Sequence, residues 1–168
     1  MTRSLVLTVI GPDRPGIVDL LSRTVNEAGG NWLESSMSRL AGQFAGILRV
    51  EIDETKVAPL RAAIDALPGL RVIVDEGVDE EAPPGVQLEV VGGDRPGIVR
   101  QIAGILAARG VNVLRLETSR TGAPWSGGAL FRANALIAVP AEVSLDSLRD
   151  ELEAIALDLM VEVKLASE

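Results

Sequence analysis

The chain has no histidine, no cysteine and no tyrosine, and only two tryptophans and two phenylalanines. Without cysteine there is no disulfide, no thiolate nucleophile and no sulfur ligand for zinc. Without histidine the commonest general base and the commonest transition-metal ligand are both missing. An enzyme made from this chain would have to work with carboxylates, lysine or serine alone, so no catalytic residue, metal site or cofactor is expected. Basic residues are also scarce: 16 Lys and Arg stand against 24 Asp and Glu, for a net charge of -8. Phosphate contacts need clustered Lys and Arg. No such run occurs, so neither direct nucleic-acid binding nor attraction to an anionic membrane surface is expected. Long hydrophobic runs are absent too. The apolar stretch near the start is stopped by Pro12 and Asp13 after six residues, from Leu5 to Ile10. That is too short for a membrane span, and no signal-peptide cleavage pattern follows. The expectation is a cytoplasmic protein.

What the chain does have is a repeat. "GPDRPGIVDLL" runs from Gly11 to Leu21, and "GGDRPGIVRQI" from Gly92 to Ile102. Asn31 follows Asp13 by 18 residues, and Asn112 follows Asp94 by the same 18. Turns and asparagines thus share one offset of 81 residues, the sign of an internal duplication. With 168 residues, 47% of them hydrophobic, the chain is long enough for two small cores.

Hydrophobic spacing gives each half the same order. Leu5–Ile10 reads as a strand. Ile17, Leu20, Leu21, Val25 and Ala28 recur at helical spacing until Gly29–Gly30. Strands follow at Trp32–Leu40 and Phe44–Ile52, joined by a hairpin at Ala41–Gln43. Val57, Leu60, Ile64 and Leu67 mark a second helix, ended by Pro68–Gly69, and Leu70–Val74 a last strand. The second half repeats this from Val86, with strands at Val86–Val91, Val111–Ser119, Leu130–Val139 and Leu159–Leu165. Its hairpin loop, "RTGAPWSGGA", is the longer one. The acidic, Pro-rich "GVDEEAPPG" between the halves reads as a stiff linker. The expected fold class is α+β: two ferredoxin-like βαββαβ domains in tandem, residues 1–77 and 86–168, joined by 78–85. Each such sheet leaves one face and its edges to be covered, so a homodimer is expected.

The repeated turn admits two readings. In one, Asp13 and Asp94 cap the helices that follow, and Pro15 and Pro96 suit an early helical position. In the other, the helix-start N–H groups receive a carboxylate while the aspartate meets an ammonium group, as suits an α-amino acid. Gly16 and Gly97 then either let that ligand approach the backbone or allow tight packing of helix on strand. Asn31 and Asn112 are either turn residues with left-handed φ or side-chain amides offered to a zwitterion. Arg39 and Arg120 also share the offset and read first as solvated strand-end charges. Trp32 reads as a core or interface residue, and Trp125 as a partner-contact candidate. Asp75–Glu76 and Asp79–Glu81 carry no calcium-loop pattern and read as solvated charge.

On these residues, above all "VIGPDRPGIV" and "VVGGDRPGIV" at the two strand–helix junctions, the chain resembles tandem ACT domains. It is most similar to the glycine cleavage system transcriptional repressor family, with "GNWLESSMSRLAGQFAGILRV" adding to the likeness. The resemblance spans nearly the whole chain. It implies amino-acid binding between paired domains, through Asp13, Arg14, Pro15, Gly16, Ile17 and Asn31, and through Asp94, Arg95, Pro96, Gly97, Ile98 and Asn112. It further implies regulation through a DNA-binding activator protein, with glycine and serine as first ligand candidates. The alternative is a ligand-free ACT interaction module or regulatory subunit of a metabolic enzyme. One departure stands out: Gly93 replaces Pro12, so the two turns differ in rigidity.

Overall fold

The structure, a computed structural model, describes residues 1–78, 80–81, 83–122 and 128–167. The chain divides into two compact units, Met1–Glu81 and Ala82–Glu168. In the first, the order is β1 (Thr2–Pro12), α1 (Ile17–Glu27), β2 (Asn31–Leu40), β3 (Gln43–Asp53), α2 (Val57–Asp65) and β4 (Arg71–Glu76). In the second it is β5 (Val86–Gly93), α3 (Ile98–Ala108), β6 (Asn112–Gly122), β7 (Ala129–Ala138), α4 (Leu145–Leu159) and β8 (Val161–Ser167). The sheets run β2-β3-β1-β4 and β6-β7-β5-β8, antiparallel throughout. This is the ferredoxin-like βαββαβ arrangement expected from the spacing.

Several boundaries move outward because strand pairing, not hydrophobicity, ends a strand. Apolar residues stop at Ile10, yet β1 continues as Gly11 and Pro12 pair with Phe44 and Gln43. Likewise β6 runs to Gly122, past the expected Ser119, because its last residues pair with the start of β7. Leu159 ends α4 rather than opening β8, and it is buried. The β2–β3 hairpin turns on Ala41 and Gly42, both with positive φ (48° and 79°). That two-residue geometry matches the twist of the flanking strands.

Alternation along β1 sends Leu5, Leu7 and Val9 to the helix side, where they meet Leu48 and Val50 of β3, Ile17 and Leu21 of α1, and Leu60 of α2. The second core repeats this with Leu88, Val90, Ile98, Ile102, Ile137 and Leu148. Its helices are tied by Arg109, at the end of α3, which donates to Glu151 and, at 3.3 Å, to Ser147 of α4. The hydrogen bond from Arg109 holds the Glu151 carboxyl below its ordinary range. In the first unit, Asp53 accepts from the Thr55 hydroxyl (2.6 Å) and backbone N–H (2.9 Å), and its carboxyl is held low for that reason.

The open sheet faces differ between units. Ile10, Ile47 and Ile73 are exposed on the first. By register, Ile47 and Ile73 flank Thr8, whereas Asn134 and Lys164 flank Glu89 in the second, and Glu89 pairs with Arg132 at 2.9 Å. No described helix is long and apolar enough to cross a membrane.

Candidate functional site

The repeated turn is held in both units by the same contacts. The Asp13 backbone N–H donates to the Gly42 carbonyl (2.9 Å), and that of Asp94 to the Ala129 carbonyl (2.8 Å). Arg39 Nε donates to Asp13 Oδ2 at 2.7 Å, and Arg120 makes the same bond to Asp94. Arg14 reaches back to the Pro68 carbonyl (2.6 Å) and Arg95 toward the Asp158 carbonyl (3.4 Å). Each turn is thereby tied to the hairpin on one side and to the end of the unit's second helix on the other. Arg39 and Arg120 hold the turn in a way that sequence reading undervalued. Their signal was present in the shared offset, but a strand-end arginine looks solvated until the hairpin brings it to the turn.

The capping role of Asp13 and Asp94 is not what the structure contains. The residue before α1 is Gly16 (φ 89°) and before α3 Gly97 (φ 96°), and no side chain caps either helix. Asp53 and Ser144, by contrast, do cap: Asp53 the short 3-10 turn Glu54–Lys56 that leads into α2, Ser144 the helix α4. The aspartates are drawn off by their arginines, so the first-turn N–H groups of α1 and α3 stay free of side-chain caps. Pro15 and Pro96 fall before the helices rather than inside them.

The packing reading of the glycines is also overturned. A Cβ on Gly16 would meet nothing within 4 Å, and one on Gly97 only Gln101 Nε2 at 3.7 Å. Backbone conformation is what demands glycine here, since left-handed φ is costly for L residues. Ile17 and Ile98 turn inward into the cores, at 3% and 2% exposure.

Asn31 and Asn112 are the first residues of β2 and β6, and both are exposed. Neither has positive φ; Gly29 (78°) and Gly110 (67°) make the left-handed helix stops. Their position relative to the turn follows from register. Pro12 lies across from Gln43, and Gln43 across from Leu40, so the turn shares one end of the sheet with the finish of β2. Asn31 lies across from Glu51, at the opposite end, roughly 30 Å away at about 3.3 Å per residue. The two groups of predicted residues are therefore not brought together within a unit. β2 and β6 are edge strands, however. Antiparallel pairing of two such edges would set the start of one beside the finish of the other, hence an asparagine beside a neighbour's turn.

Trp32 is half-buried and packs against the first core. Trp125 and Asp79 lie outside the described residues. Among the described residues no group of three or more acidic side chains is placed to hold a metal ion.

Comparison with known proteins agrees with this architecture. The ACT domain family matches residues 3–69 and again residues 86–156. The glycine cleavage system transcriptional repressor of Escherichia coli (strain K12) is 22% identical over 165 residues, covering 92% of this chain and 85% of its own. A solved structure of an unknown protein from Galdieria sulphuraria superposes with a TM-score of 0.91 at 29% identity, covering 100% of this chain and 99% of that one. Another, of a proposed glycine cleavage system transcriptional repressor, superposes with a TM-score of 0.72 at 22% identity, covering 98% and 96%. Repeat, topology and family matches agree: the chain belongs to the ACT-domain family, with one ACT domain in each half.

Proposed function

We propose that the chain is an amino-acid-sensing regulator of transcription, without catalytic activity, acting through a DNA-binding activator protein. The observation that carries this reading is the twice-repeated helix start, uncapped behind a left-handed glycine, with an arginine-held aspartate beside it. Bare N–H groups at the positive end of a helix suit a carboxylate. The free lone pairs of Asp13 or Asp94 suit an ammonium group. Asn31 or Asn112 of an edge-paired neighbour supplies a donor and an acceptor. Each ligand site thus joins one turn, Asp13 and Gly16 or Asp94 and Gly97, to Asn31 or Asn112 of the neighbour, with Arg14, Pro15, Ile17, Arg95, Pro96 and Ile98 shaping the turns. Glycine is the first candidate, given the name of the repressor relative, and serine the second. A charge of -8 with no basic run argues for a protein partner over direct DNA contact. The exposed isoleucines on the first open sheet face favour a homodimer. We take residues 1–77 and 86–168 as the domains, 78–85 as their linker, and the cytoplasm as their compartment.

The aspartate–arginine pairs also favour a second reading, in which they only brace the turn of a ligand-free interaction module or enzyme regulatory subunit. A thermal-shift screen with all amino acids separates the two, because a ligand of the native state raises the melting temperature by mass action. A rise with one or a few amino acids is expected. No rise with any of them at millimolar concentration would favour the second reading. A salt-sensitive gel shift of DNA by the protein alone would overturn the indirect mode of action.

A further inference from the structure

We infer that the second unit holds an apolar pocket between α3 and β6 that takes an aliphatic side chain of about leucine size, so that its ligand is an aliphatic amino acid. This rests on the reading of the turns as amino-acid anchors. A cavity of ≈ 40 Å³ opens there, lined only by apolar side chains, among them Val99, Ile102, Val113, Leu116, Ala133 and Ala135. Its volume is about three times what one water needs, and a cavity without polar partners stays dry and accepts apolar groups.

The cavity has a cause in the sequence. Leu7 of β1 faces Leu48 of β3, but its counterpart Leu88 faces Ala135. Counting by the repeat, Val113 stands where the first unit has Trp32, and Ala103 where it has Ser22. Trp32 packs into the first core, whereas Val113 leaves that volume open and is 38% exposed. The core is less tightly covered as a result: Ile102 is 7% exposed where its counterpart Leu21 is 1%. Val99 and Leu116 are exposed at the mouth. Val99 belongs to the first turn of α3, so the mouth adjoins the uncapped N–H groups proposed to hold a carboxylate. A ligand anchored there by its α-carboxylate has this apolar lining within reach of its side chain. The first unit, with Leu48 and Trp32 in place, is left to smaller ligands.

The test is calorimetric titration of the full chain with leucine, glycine and serine, repeated on Ala135→Leu, which installs the first unit's residue. Leucine is expected to bind about tenfold or more tightly than glycine, and Ala135→Leu to abolish that advantage. If Ala135→Leu does not fold, Val113→Trp, at the mouth, carries the same readout. Leucine binding no tighter than glycine, or an advantage that survives the filling variants, overturns the inference while leaving the turn reading intact. If no amino acid binds, the turn reading and the amino-acid ligand both fall. Xenon shifting the methyl NMR signals of Ile102 and Leu116 would then still identify an aliphatic site, and no shift would remove the pocket as well.

Discussion

Gly16 and Gly97 condense the argument at the scale of single residues. Each sits at left-handed φ with open space where a side chain would begin. Substitution therefore tests backbone strain, free of overpacking. Gly16→Ala is expected to lower stability by about 1–2 kcal/mol, and Gly16→Asn by less, since asparagine visits this region more readily. Urea unfolding of the two variants measures the difference. A larger loss for asparagine than for alanine would mean that the site is crowded after all. The sequence made these glycines conspicuous by repeating them, but not the reason for them: φ is a property of the folded turn, invisible in composition or periodicity. The aspartates were legible as special, but the capping read for them was not kept, because capping and ion pairing use the same carboxylate. Only the hairpin decides between them, by delivering Arg39 to Asp13 at 2.7 Å and Arg120 to Asp94.

Among elements, the order of strands and helices was legible throughout, because each alternation or helical spacing is a local signal. Strand ends were not, because Gly11, Pro12 and Gly122 owe their strand conformation to partners across the sheet. The separation of Asn31 from the turn was equally hidden, since it depends on β1 and β2 running parallel, with β3 between them. The β2–β3 hairpin offers a test of local chemistry. Ala41 takes positive φ, where alanine is disfavoured and the Asn-Gly pair is preferred. Ala41→Asn is expected to stabilise the first unit by about 0.5–1 kcal/mol, read as a raised urea midpoint with an unchanged slope. An unchanged or lowered midpoint would contradict the assigned turn geometry.

For the molecule as a whole, the absence of histidine leaves no side chain with an ordinary pKa between pH 5 and 8. The groups held low are carboxylates: Asp53 by Thr55, Glu54 by Arg3 and Glu151 by Arg109. Their folded values lie below their unfolded ones. Their contribution is thus complete above the unfolded range, about pH 4, and is lost as pH falls through the folded values. Stability is expected to be flat from about pH 8 to 5.5 and to decline below about pH 4.5. Glu151→Gln is expected to be less stable at neutral pH, with a shallower acid decline. Urea midpoints across pH measure this, and a drop between pH 7 and 6 would contradict it.

The hollow beneath α3 has a mechanical consequence. Empty volume inside a folded protein disappears when the chain unfolds and water fills the space, so hydrostatic pressure favours that transition. The second unit, with its ≈ 40 Å³ apolar cavity, is expected to yield first under compression. High-pressure NMR resolves this directly. Methyl signals of Ile102 and Leu106 should broaden and vanish at a pressure where those of Leu21 and Val25 remain sharp. An aliphatic solute seated in the void should raise that pressure toward the value for the first unit, making compressibility itself a gauge of occupancy.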